Sequence, residues 1–133
     1  MKWQGARPKM ADPSGFRAHI RGLVRQEYAL EFLGERFDEI VSLLSEKQAD
    51  AIYSWIGNVL EKKVQPILIG SERRYRDWKA HELLTFRHAF SINRQQYRVL
   101  LVKVKNSFYI EFHLGDHKYY DKVRKELALK KGS

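Results

Sequence analysis

The stretch Tyr97-Arg98-Val99-Leu100-Leu101-Val102-Lys103-Val104-Lys105, followed after Asn106-Ser107 by Phe108-Tyr109-Ile110-Glu111-Phe112-His113-Leu114, decides the fold. Its first half is β-branched and aliphatic on both sides, as a central strand covered on both faces should be. Its second half alternates, so Phe108, Ile110, Phe112 and Leu114 are expected to face inward while Tyr109, Glu111 and His113 take the opposite face. Asn106-Ser107 suits a tight connection, and the two halves form a hairpin. Gly115-Asp116 stops the return strand, and Asp116 can cap a last helix carrying Tyr120, Val123 and Leu127.

Upstream, Leu84, Phe86, His88 and Phe90 alternate with Leu83, Thr85, Arg87 and Ala89, which predicts another strand. His88 points with the phenylalanines and reads as a core residue. Pro66 and Gly70 bracket a short apolar stretch. Ser45-Glu46-Lys47-Gln48 fits a capping box, separating a helix with Phe37, Ile40, Val41 and Leu44 from a second with Ala49, Ile52, Tyr53, Ile56, Val59 and Leu60 on one face. Trp55 flanks that face as core. Glu27 to Phe32 alternates like a half-buried strand, ended by Gly34. At the start, Asp12 and Pro13 can open a short helix with Phe16, Ile20, Leu23 and Val24 on one face and Arg17, Arg21 and Arg25 on a solvated one. Residues 1–12 show little periodicity and read as a tail. The order of strand, two helices, three strands and helix predicts one α+β layer pair.

The 133 residues suffice for one core, and 44% hydrophobic with 13% aromatic residues excludes a wholly disordered chain. Lys and Arg outnumber Asp and Glu by 25 to 16, a formal +9, which favours polyanions through counterion release. Arg73, Arg74, Arg76 and Lys79 are interleaved with Tyr75 and Trp78, a composition suited either to a nucleic-acid groove or to a surface loop anchored by Trp78. The chain has no cysteine, so disulfides, thiolate metal sites and cysteine nucleophiles are excluded. No stretch has the length and apolarity of a membrane span, and the first 25 residues hold no signal-type apolar run. A cytoplasmic protein without membrane contact is the expectation. His113-Leu114-Gly115-Asp116-His117 offers three potential metal ligands across a strand end, with no fourth partner in sight, so no metal and no cofactor are expected.

Three strings carry a resemblance: Phe86-Arg87-His88; Ile92-Asn93-Arg94-Gln95-Gln96-Tyr97-Arg98-Val99-Leu100; and Phe112-His113-Leu114-Gly115-Asp116-His117-Lys118-Tyr119-Tyr120-Asp121. They resemble the RelE/ParE superfamily of type II toxins, with arginines entering two strands and a His/Lys/Tyr cluster after the last. The resemblance implies an α+β fold in which two helices pack on a small twisted antiparallel sheet, here with a short C-terminal helix. It spans 27–133 as a toxin domain and leaves 1–26 as a basic, partly helical N-terminal extension. It further implies a metal-independent, ribosome-dependent mRNA endonuclease (mRNA interferase), whose partners are mRNA on the ribosome and a cognate antitoxin.

On that resemblance the expected catalytic group is His117 as leading acid or base, Arg87 and Arg98 as phosphate clamps, Tyr120 as positioning or proton-donating partner and His113 as reserve base. Arg73, Arg74, Lys79, Arg94 and Lys118 are expected to hold RNA. The residue types suit the chemistry, because metal-free RNA cleavage needs a base for the 2′-hydroxyl, an acid for the leaving oxygen and fixed cations for the phosphorane. Strict alternation puts Arg98 on the face of Leu100, Val102 and Val104; alternation does not say whether that face is open, and a bulge near Tyr97 would redirect the side chain. Two other functions are alternatives: a ParE-like toxin that binds a gyrase-type target, which the resemblance matches in topology but which lacks the cluster of His117 and Tyr120, and a non-catalytic RNA- or ribosome-binding domain whose Arg and Lys serve phosphates alone.

Overall fold

The computed structural model describes residues 10–70, 83–104 and 107–127, with the backbone alone over 68–70. The elements, in chain order, are α1 (Pro13–Leu23), β1 (Ala29–Leu33), α2 (Phe37–Leu43), α3 (Glu46–Leu60), β2 (Leu68–Gly70), β3 (Leu83–Ile92), β4 (Gln95–Val104), β5 (Tyr109–Asp116) and α4 (His117–Glu126). The strands form one sheet in the order β1-β5-β4-β3-β2. β1 runs parallel to β5, with Phe32 opposite Phe112, and the other pairs are antiparallel.

Local chemistry sets the helix starts. Asp12 accepts the Gly15 N–H at 2.9 Å and Pro13 occupies the first turn of α1. At α3 the Gln48 N–H donates to Ser45 Oγ and the Ser45 N–H donates to Gln48 Oε1, both at 3.1 Å, a reciprocal cap contributing about 1 kcal/mol. β3 and β4 turn through Asn93 and Arg94, whose φ values of 49° and 70° are the left-handed pair that a two-residue hairpin loop requires.

Packing then divides the sheet into two faces. One is covered by α1, α2 and α3, which bury Phe16, Ile20, Ile40, Ile52 and Ile56 against Val99, Leu101, Ile110, Phe112 and Leu114. The other is covered by α4, whose Tyr120, Val123 and Leu127 pack on Leu83, Leu100, Val102 and Val104.

This arrangement corrects the expected fold. The sheet is mixed and five-stranded instead of small and antiparallel, and helices lie on both faces instead of as a pair on one. The direction of β1 is invisible to alternation, which tells which residues share a face and says nothing of the neighbouring strand. β2, with three residues, is too short to show a period. Residues 13–24 join the same core: Phe16 is 1% exposed, its ring 5.8 Å from that of Phe112 and 6.1 Å from that of Phe37. An apolar helical face of that size is stable only when buried. Phe108, expected inside, is 60% exposed because β5 begins one residue later. The Asn106-Ser107 connection lies partly outside the described residues.

Gly34 shows how closely β1 and its exit approach β5. Its φ is +155°, and a Cβ there would lie 2.2 Å from the Leu114 carbonyl oxygen. Gly34→Ala is therefore expected to cost about 3 kcal/mol or more in urea unfolding, since a backbone atom cannot step aside as a flexible side chain can.

Candidate functional site

The site forms where α4 begins. β4 continues without a bulge to the end of β5, pairing Arg98 with Gly115 and Tyr97 with Asp116, so Arg98 keeps the face that alternation assigns it. That face is covered over Leu100, Val102 and Val104, each 1% exposed or less, and only partly over Arg98. On the neighbouring strand Arg87 sits opposite Leu100 while Ala89 sits opposite Arg98, which makes the two arginines diagonal neighbours on one face.

Tyr120 is the hub between them. Its hydroxyl accepts a hydrogen bond from Arg87 Nη1 at 3.0 Å, and the two guanidinium carbons lie 5.9 Å (Arg87) and 5.7 Å (Arg98) from its ring centroid. Arg98 is aimed by its own strand: Nη1 donates to the Tyr97 carbonyl at 3.0 Å and Nη2 to Gln96 Oε1 at 2.9 Å. Its buried Nε has no hydrogen-bond partner among the described residues. A buried guanidinium N–H without an acceptor is costly to the fold.

His117 opens α4, with its ring 6.2 Å from that of Tyr120. Its side chain is 59% exposed, and Nε2 lies 3.5 Å from Asp121 Oδ2, one turn on. Asp116 caps the helix by accepting the Tyr119 N–H at 2.9 Å. Lys118 projects into solvent from the same first turn, and Arg94 is exposed at the tip of the β3–β4 hairpin, at this end of the sheet. Among the expected site residues, Arg87, Arg98, His117 and Tyr120 thus meet around one ring. Arg73, Arg74 and Lys79 lie outside the described residues.

His113 does not join them. Its side chain is 4% exposed, Nε2 is 2.8 Å from Glu111 Oε1 and Nδ1 is 2.8 Å from the Tyr119 hydroxyl. Both ring nitrogens are engaged inside the protein, so the imidazole has no open position from which to exchange a proton with RNA. Glu111 is fully buried, and its Oε2 accepts from the Tyr109 hydroxyl at 2.5 Å. Tyr109 also bonds to Glu31 on β1. Burial, followed by hydrogen bonds to these two carboxylates, pushes the Tyr109 hydroxyl well above the ordinary phenol range, so it remains a donor. On the other face His88 is half-buried between Trp55 and Phe90, and burial holds its pKa below the usual value.

The chain matches no protein-family model, no curated protein and no solved structure. Its site is therefore judged on its own groups: two fixed guanidinium ions, a phenol and an exposed imidazole. Among the described residues no three His, Asp or Glu side chains are grouped to hold a metal ion, and no helix is long and apolar enough to cross a membrane. Sequence reasoning missed Gln96, which orients Arg98, the buried Glu111 and the half-buried Tyr119. Gly115, read as a strand stop, has a second role, since a Cβ there would lie 2.3 Å from Tyr119 Cδ2.

Proposed function

We propose that this chain is a metal-independent endoribonuclease that cuts mRNA on the ribosome, the cytoplasmic toxin of a toxin–antitoxin pair, in line with the resemblance of its motifs to RelE-type members of the RelE/ParE superfamily. The observation that carries the reading is the convergence of Arg87, Arg98 and His117 on the Tyr120 ring at a solvent-reachable edge. Arg87 and Arg98 grip the scissile phosphate, where guanidinium offers paired donors and stays charged throughout. His117 moves a proton to or from the sugar or leaving oxygen, since imidazole exchanges protons near neutral pH. Tyr120 holds Arg87 in place and presents a phenol next to the same phosphate.

Arg94 and Lys118, with Arg73, Arg74 and Lys79, supply backbone contacts that add affinity and salt dependence. His113 has no reacting role in this scheme. A cognate antitoxin carrying acidic and apolar residues would cover the basic surface.

The test is purified protein added to ribosomes translating a defined message, with the new RNA ends mapped. Cuts phased with the ribosome are expected, and His117→Ala is expected to slow them by about 10²-fold or more. Message left whole by the wild-type chain, with or without inhibited DNA supercoiling, would overturn the nuclease reading.

A further inference from the structure

A polar chain with a buried centre runs beneath α4, beside the smaller apolar core on which its Tyr109 and Tyr119 pack. It runs from Glu31 through Tyr109, Glu111 and His113 to Tyr119. It crosses from β1 through β5 to the first turn of α4. The two central members have side chains 0% and 4% exposed, where unmade hydrogen bonds would be expensive. Each of their polar side-chain atoms has a partner: Glu111 uses both oxygens and His113 both nitrogens.

We infer that Glu111, His113 and Tyr119 act as positioning residues: the chain locks the first turn of α4 onto β5, and so sets His117 and Tyr120 against Arg87 and Arg98. Two independent contacts converge on Tyr119. Its hydroxyl meets His113 Nδ1 at 2.8 Å, and its ring lies so close to the Gly115 backbone that no other residue type fits beneath it. Hydrogen bond and ring contact together fix both the rotation of the helix about its axis and its height above the sheet. His117 and Tyr120 lie two residues before and one after this anchor, so a small rotation of the turn moves both. Displacements of about 1 Å in reacting groups cost up to about 10²-fold in rate.

Several orders of the protons satisfy these contacts, since Tyr109 has one O–H for two carboxylates and the roles of the His113 nitrogens depend on its tautomer. In one of them, with Glu111 ionised, its Oε2 accepts from Tyr109 and its Oε1 from His113 Nε2–H; Nδ1 then carries a lone pair and accepts from the Tyr119 hydroxyl. Replacing Glu111 by glutamine reverses the order without breaking it. The amide oxygen still accepts from Tyr109, the amide nitrogen donates to Nε2, and Nδ1–H then donates to the Tyr119 oxygen. Phenylalanine at 119 keeps the ring on Gly115 and deletes only the hydroxyl.

The consequence for turnover rests on the nuclease reading; the anchoring itself does not. Native-state hydrogen exchange on the full chain is therefore measured beside steady-state cleavage. In Tyr119→Phe the amides of Tyr120 to Val123 should lose about 10-fold in protection while those of β4 and β5 keep theirs, and kcat should fall about 10-fold with KM unchanged. Glu111→Gln should stay within about 3-fold of wild type on both readouts, because the hydrogen bond to Tyr119 survives in the other tautomer. Unchanged α4 protection in Tyr119→Phe, loss of protection with kcat intact, or a raised KM in place of a lowered kcat overturns the inference. If the wild-type chain leaves message whole, the nuclease reading fails by itself and hydrogen exchange alone judges the anchor.

Discussion

Arg98→Ala is expected to slow RNA cleavage by about 10²- to 10³-fold, with the fold intact by circular dichroism. Arg98 is held by the Tyr97 carbonyl and Gln96 and lies against Tyr120, so its cation is aimed before substrate arrives. A donor aimed in advance at the place where charge grows stabilises the transition state without reorganising, and removing one such donor costs about 3 to 4 kcal/mol. Arg98→Lys should recover little of the loss, because one ammonium nitrogen cannot occupy the separate positions of Nη1 and Nη2 and keep the planar, preset array of donors. Arg87→Ala should behave similarly, with an added loss from the Tyr120 hydroxyl, which would lose its guanidinium donor. Full cleavage by Arg98→Ala would remove the phosphate clamp from the mechanism.

The second large effect concerns stability. His113→Ala is expected to cost about 3 kcal/mol or more in urea unfolding, because it takes the imidazole hydrogen bond from the fully buried Glu111 carboxylate and opens a void beneath α4. A domain of this size is stable by only about 5 to 15 kcal/mol, so such a variant lies near the threshold for folding in cells. Any RNA cleavage lost in that variant would then report unfolding and say nothing of acid or base chemistry. Removing both partners at once, as in Glu111→Leu with His113→Leu, should cost less than His113→Ala alone, since no orphan charge remains. If the double variant proves the less stable, the pair contributes net stability and the desolvation argument fails.

Particular residues show how far the reading of sequence reaches. Asp12, Ser45-Gln48 and Asp116 were legible as caps because a cap is a contact between residues three apart in the chain. Arg87, Arg98, His117 and Tyr120 were named from short strings around strand ends, and the register of β3, β4 and β5 brings them to one place. His113 was named from the same strings and goes elsewhere. Two positions on from Glu111, it shares a face with it, and the deciding fact is that its ring is held between the Glu111 carboxylate and Tyr119 from α4.

Chain-local chemistry thus specified the helices and their caps, the alternation of the long strands, the basic charge and the types of group available for RNA chemistry. Three things were settled only by packing: the parallel pairing of β1 with β5, the absorption of α1 into the main core, and the division of two histidines four residues apart into one exposed and one sealed. The physical reason is range. Caps and periods are set by neighbours within a turn or a pleat, whereas strand partners and burial depend on which distant apolar surfaces meet, and many distant arrangements satisfy the same local pattern.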